Sequence, residues 1–252
     1  MSNSVSYCRP AGLSDDEDDD DDGFEFSRDY SNKNVYIDKI PESKESLFYS
    51  ALKNNEIDTM KTMLANGFHV DQPLRGGWSP LMHACLLCSL PVVEFLIKAQ
   101  ANVNFSKELF TPMMALCKAS STNEEELLKC LDLLLKNGAT VDATDRNATT
   151  ALMYASSSGH IDLVRRLIED KCDVNIQDTE GWSALFHAVA EGHEKVVQVL
   201  LEGKARLDLI DIRRRTAFQL ALQKGFDDIA KLVSSKKEKT EIIGRRRTSF
   251  AK

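Results

Sequence analysis

Apolar residues recur along this chain in groups three to four positions apart, the spacing that lays a stripe along one face of a helix. Val92, Val93, Leu96 and Ile97 form one such group. Leu127, Leu128, Leu131, Leu134 and Leu135 form the next, followed by Leu163, Val164, Leu167 and Ile168, and then by Val196, Val197, Leu200 and Leu201. Upstream of each stands a shorter pattern: a hydroxyl residue, a small residue or Pro, then apolar residues. It runs Ser79-Pro80-Leu81-Met82, Thr111-Pro112-Met113-Met114, Thr150-Ala151-Leu152-Met153, Ser183-Ala184-Leu185-Phe186 and, with a polar fourth residue, Thr216-Ala217-Phe218-Gln219. The starts lie 32, 39, 33 and 33 residues apart, and a fixed period of this length signals a repeat architecture.

Each unit is therefore predicted to be helix, turn, helix. Gly159-His160 and Gly192-His193 fall where the first helix must stop and reverse, a place for a residue that tolerates positive φ. Gly67, Gly138 and the segments Ala101 to Asn104 and Ala139 to Asp142 end second helices and open an extended turn. An earlier stretch, Leu47 to Val70, has the helical spacing in Leu47, Ala51, Leu52, Ile57, Met60 and Leu64 but lacks the start pattern, as an N-terminal capping unit would. The 39-residue interval holds about six extra residues, expected in a loop spanning Ser120 to Glu126 between two helices.

Composition changes this picture little, and charge changes it at the ends. Hydrophobic residues at 42% and charged residues at 28% of 252 are those of an ordinary folded protein. The net charge of −7 is unevenly placed: residues 1–40 hold eleven acids and four bases, residues 236–252 seven bases and two acids. Both ends have too little apolar content to offset the entropy of ordering, so both are expected to be mobile. The acidic body does not attract a phosphate backbone. Six cysteines without an N-terminal apolar leader are expected to be reduced thiols in a cytoplasmic setting. No stretch reaches the ~18 apolar residues of a membrane-spanning helix.

The start pattern and its period resemble the ankyrin repeat, in which a Thr-Pro-Leu-His start opens a turn plus two helices. The resemblance implies an all-α ankyrin-repeat solenoid of about six helix-turn-helix units with short β-turn fingers. It spans residues 44–235, between an acidic disordered tail (1–43) and a basic flexible tail or linker (236–252). The fourth position of the pattern is Met82, Met114, Met153, Phe186 and Gln219 instead of His, so apolar packing is expected to replace the hydrogen bond that His makes there.

Further features narrow the likeness. An acidic leader closes in Asp22-Gly23-Phe24-Glu25; Gly77-Trp78-Ser79-Pro80-Leu81-Met82, the Glu124 to Leu135 helix with its insertion, and Leu152-Met153-Tyr154-Ala155 follow in order. This order is similar to the germ-cell family that joins ankyrin repeats to a SAM domain and a basic leucine zipper. That likeness implies a protein-interaction scaffold of germline piRNA biogenesis and transposon silencing, with piRNA-pathway and germ-granule components as partners. It implies granules at the mitochondrial outer membrane, reached through a C-terminal anchor. The SAM domain, zipper and anchor are not among these 252 residues, so a fragment or a short form is expected, with no membrane contact from this segment.

Stacked repeats present a concave surface of turn tips and first helices, where partners bind. Candidates for partner binding there are Trp78, Phe105, Phe110 and Trp182 near the turns, and His83, Tyr154 and His187 on first helices. Aromatic groups bury much area with few rotors, although Trp78 and Trp182 could equally pack on the next turn. Cys85-Leu86-Leu87-Cys88 lacks a second ligand pair and falls in a helix, so the thiols are expected to be structural, with no metal and no cofactor. With no phosphate loop, nucleophile elbow or HExxH, no catalytic residue is assigned and an enzyme is not expected. Arg245-Arg246-Arg247 precedes Thr248 and Ser249, a possible phosphorylation site beside a basic linker. The alternative function is an RNA-binding or nucleoprotein-associated ankyrin protein using the Arg213-Arg214-Arg215 turn and the basic tail.

Overall fold

The hydroxyl residue of each start pattern is positioned to accept a hydrogen bond from an otherwise orphaned helix N–H, which is what opens the first helix of a unit. In the computed structural model, which describes residues 43–236, Ser79 accepts from the Met82 N–H, Thr111 from Met114, Thr150 from Met153 and Thr216 from Gln219. Pro80 and Pro112 fill the first helical position, where a missing N–H costs nothing. Ser183 stands in the same place without a side-chain cap bond.

Twelve α-helices follow in pairs among the described residues: α1 (Lys44–Lys53) and α2 (Ile57–Ala65), α3 (Pro80–Leu86) and α4 (Leu90–Lys98), α5 (Pro112–Cys117) and α6 (Glu124–Lys136). The remaining pairs are α7 (Ala151–Ser158) and α8 (Ile161–Glu169), α9 (Ala184–Ala190) and α10 (Glu194–Glu202), then α11 (Ala217–Lys224) and α12 (227–236). First helices pack on first helices in the order α1, α3, α5, α7, α9, α11, and second helices do the same from α2 to α10. The described residues contain no strand; the fingers that join units hold only the isolated bridges Lys107–Phe110 and Thr144–Thr150. The six expected helix-turn-helix units and their fingers are therefore present. The two tails, with Thr248 and Ser249, lie outside the described residues.

The core is a strip between the two helix layers. Leu81, Met82, Met113, Met114, Leu152, Met153, Leu185 and Phe186 of the first helices are buried, as are Val92, Val93, Leu96, Leu127, Leu131, Leu163, Leu167, Val197 and Leu200 of the second. Each of the first four units is also tied to the next by a carboxylate or amide at the mouth of its turn. Asp71 accepts from the Asn102 N–H at 2.9 Å, Asn104 from Thr140 at 2.9 Å, Asp142 from Asp173 at 3.1 Å and Asn175 from Arg206 at 2.8 Å. On the other side His160 donates to the Ala119 carbonyl at 2.8 Å and His193 to the Ser157 carbonyl at 2.9 Å. Gly159, at φ +80°, is required twice over, since a Cβ there would stand 2.8 Å from the His193 ring.

Two expectations need correction. The extra residues are not all loop: Asn123 accepts from the Glu126 N–H, so Glu124, Glu125 and Glu126 become the first turn of a lengthened α6, where their charge suits the positive helix end. The fourth position of the start pattern has not lost its hydrogen bond everywhere. Gln219 Oε1 accepts from the Thr216 N–H at 2.8 Å, and the Met153 sulfur lies 3.5 Å from the Thr150 N–H.

Leu185 is fully buried between neighbouring units, so Leu185→Ala is expected to cost about 2–5 kcal/mol of unfolding free energy. Equilibrium urea denaturation measures this, and an unchanged midpoint would contradict the packing described.

Candidate partner-binding face

Every finger must hold its turn open toward the solvent while its own backbone stays satisfied. In three fingers an aspartate five residues before the start pattern does this with both carboxylate oxygens. Asp145 Oδ1 accepts from the Asn147 and Thr149 N–H groups, Asp178 Oδ1 from Glu180 and Trp182, and Asp211 Oδ1 from Arg213 and Arg215. The second oxygen reaches forward. It takes the Tyr154 hydroxyl at 2.7 Å, the His187 Nε2 at 2.9 Å and, in the last finger, the Arg215 guanidinium at 2.6 Å. Burial and the bond to Asp145 push the Tyr154 phenol pKa up. Burial alone would raise the Asp211 carboxyl, but the Arg215 N–H and guanidinium bonded to it hold it below its ordinary value.

Side chains ahead of and within the first helices line up across units. Tyr49 meets His83 edge-on with centroids 4.9 Å apart, His83 meets Trp78 at 5.5 Å, Trp78 stacks on Phe110 at 5.2 Å, and Phe110 meets Tyr154 edge-on at 5.4 Å. The row spans the first four units. Arg75 lies over the Tyr49 ring at 5.0 Å and Lys118 over Tyr154 at 5.7 Å. Thr149 takes the place that Trp78 and Phe110 hold in their fingers, and there the row stops. It resumes as a second group, Trp182 with His187 at 5.3 Å and with Phe186 at 6.3 Å. A groove of about 340 Å³ opens beside the first row, bounded by Trp78, Phe110, Tyr154, Lys107, Lys118 and Arg146. A second, of about 250 Å³, opens beside Trp182, Arg213, Arg215 and Lys224.

Comparison with known proteins agrees with the repeat. Models of ankyrin repeats in many copies match residues 116–168 and 152–201, and a model of ankyrin repeats in three copies matches 29–108. The chain belongs to the ankyrin-repeat family. It is 34% identical over 155 residues to the mouse "Ankyrin repeat, SAM and basic leucine zipper domain-containing protein 1", and 37% identical to the protein of that name from Atelerix albiventris. Each alignment covers 61% of this chain and 32% of the relative, so the chain spans about a third of the length of the curated relatives it matches. A crystal structure of an ankyrin repeat domain from Acinetobacter baumannii superposes with a TM-score of 0.65 at 29% identity, covering 77% of this chain and 98% of that one.

On this ankyrin array the predicted residues divide. Trp78, His83, Phe110 and Tyr154 come together in one row, and Trp182 with His187 in another; all are half-buried. Phe105 is half-buried as well but makes no ring contact. Tyr49, Arg75, Lys107, Lys118 and Arg146 were not anticipated. Tyr49 and Arg75 sit in or just after a unit without the start pattern, and Lys118 caps a helix whose length the insertion obscures. Asp145, Asp178 and Asp211 were not anticipated either, although their spacing of 33 residues is a signal that could have found them.

The Arg213-Arg214-Arg215 turn contributes two free guanidinium groups, because Arg215 is bonded to Asp211 and Gln223. Cys85 and Cys88 are both buried. Burial pushes the Cys85 thiol up, while a hydrogen bond from Cys130 draws Cys88 down to about 7. No group of three or more metal-ligating side chains is present among the described residues.

His83 donates to the Arg75 carbonyl at 3.2 Å, yet burial, opposed by that bond and helped by the Arg75 charge, lowers its pKa. The imidazole is then easier to protonate in the unfolded chain. Its contribution to stability is whole above about pH 6.5 and is lost as the pH falls below that value. Between roughly pH 7.5 and pH 5.5 the urea midpoint of the wild type should drop further than that of His83→Gln.

Proposed function

We propose that residues 44–235 are the protein-capture module of a non-catalytic scaffold, and that partners bind the finger and first-helix side. Ankyrin repeats are protein-binding elements, and the feature that carries the assignment to this side is the continuous ring row from Tyr49 to Tyr154 beside an open groove. Half-exposed Trp and Tyr in a concave surface are the groups that dominate protein interfaces. The order of motifs, together with relatives whose name joins ankyrin repeats to a SAM domain and a basic leucine zipper, supports a place in germline piRNA biogenesis. The partners are then piRNA-pathway and germ-granule proteins, in the cytoplasm at the mitochondrial surface. Among the described residues no helix is long and apolar enough to cross a membrane, so attachment there would be supplied outside them.

Affinity capture from germ-cell extract with the repeat array, quantified by mass spectrometry, tests this reading. Trp78→Ala, Tyr154→Ala and Trp182→Ala should each weaken retention of a specifically bound protein by more than about 1 kcal/mol at a true hot spot. Thermal denaturation serves as the control for folding. Retention of the same proteins by all three folded variants would move the interface to the loop ending at Asn123, the second-helix side or the tails.

A further inference from the structure

Cations with a carboxylate partner and cations without one occur on both sides of this array, Lys136, Arg165 and Lys195 of the second helices having none. On and around the second helices many are neutralised in place: Lys61 by Asp58, Lys98 by Glu94, Lys129 by Glu125, Arg166 by Asp132 and Asp170, and Lys231 by Asp228. On the finger side the carboxylates are already spent. Asp145, Asp178 and Asp211 close their own turns, and Glu108 is shared between Lys107 and Arg146 at 4.0 and 3.5 Å. Arg75, Lys118, Arg213, Arg214 and Lys224 have no carboxylate partner. Among the finger acids only Glu180 is held by neither a turn nor a cation. Both grooves repeat one composition, a tryptophan ahead of the start pattern with cations from the neighbouring finger or first helix.

From this we infer that the finger face takes an acidic peptide segment of a partner protein, with an apolar, aromatic side chain set between carboxylates. The inference rests on the reading of this face as the protein-binding side. Carboxylates would meet Lys118 at the first groove and Arg213 and Lys224 at the second, while the aromatic group would lie against the exposed edges of Trp78 and Phe110 or of Trp182. Charge complementarity of this kind steers encounter and fixes register more than it adds affinity. A nucleic acid fits less well. Trp78 and Phe110 are stacked on each other and Tyr154 lies under Lys118, so few ring faces are open for a base.

The test uses the full chain and three fluorescent probes: a twelve-residue peptide of Asp and Glu around two Phe residues, the same peptide with Asn and Gln in place of the acids, and a twelve-residue oligouridylate. The acidic peptide should bind most tightly by anisotropy and the neutral one at least fivefold more weakly. Binding should weaken at least tenfold in the Lys118→Glu, Arg213→Glu double variant, and should tighten in Glu180→Gln. Lys118→Gln, which leaves no repulsion, should show an intermediate loss if charge is the cause. Equal binding of the acidic and neutral peptides, preference for the oligouridylate, or no effect of the charge variants would overturn the inference. Repeating the germ-extract capture with these variants separates the two claims. A partner lost with Trp78→Ala but kept by the double charge variant leaves the face as the interface and removes its acidic preference; a partner kept by both removes the face.

Discussion

No unit of this chain can bury its own apolar stripe, and everything else in the structure follows from that deficit. A pair of helices of six to thirteen residues has one face to hide and no third element within its own repeat to hide it against. Stacking solves this by packing successive first helices on one another, which buries Leu81, Met113, Leu152 and Leu185, and successive second helices likewise, which buries Val93, Leu131, Leu163 and Val197. Stacking also fixes what may stand at the joints. Gly159 is confined by the His193 ring and Gly192 by the Phe226 ring, both belonging to the following unit.

Polar groups at these joints are arranged so that none has to choose between its own unit and the next. Asp71, Asn104, Asp142 and Asn175 each use a side-chain oxygen to satisfy a backbone N–H about one repeat further on. The finger aspartates are divided differently, one oxygen for the turn and the other for a side chain of the first helix or, in the last finger, for Arg215. That division has a functional consequence. It holds Tyr154 and His187 in fixed orientations on the open side, so the rings there are set before any partner arrives and less ordering entropy remains to be lost on binding.

The same economy bears on where ion pairs form within the helices. Second helices carry Glu and Lys three or four apart, a spacing at which they neutralise each other locally. First helices are short and largely apolar because they are the inner layer, so they have no such pairs. Apart from Lys44 and Lys53 of α1, their few cations, Lys118 and Lys224, stand at helix ends, Lys118 over the Tyr154 ring and Lys224 in the groove shared with Trp182, and Asp145 and Asp211 of the adjoining fingers are committed to their turns.

Repeat number, helix-turn-helix order and the inward-facing apolar groups were legible in the sequence, because each depends on residues within one period. Trp78, His83, Phe110 and Tyr154 could be placed on the open side for the same reason, since their offset from the start pattern sets the side of the unit they occupy. Their union into one row could not. Trp78 and Phe110 are 32 residues apart, and whether they stack or point away depends on the rotation between neighbouring units. The tertiary structure alone decided that Thr149 would interrupt the row, that Asn123 would recruit three glutamates into α6, and that Arg166 would find Asp132 while Lys118 found only a ring. Local periodicity sets which face a side chain occupies; the partner it meets there comes from another repeat, and only the stacking geometry brings the two together.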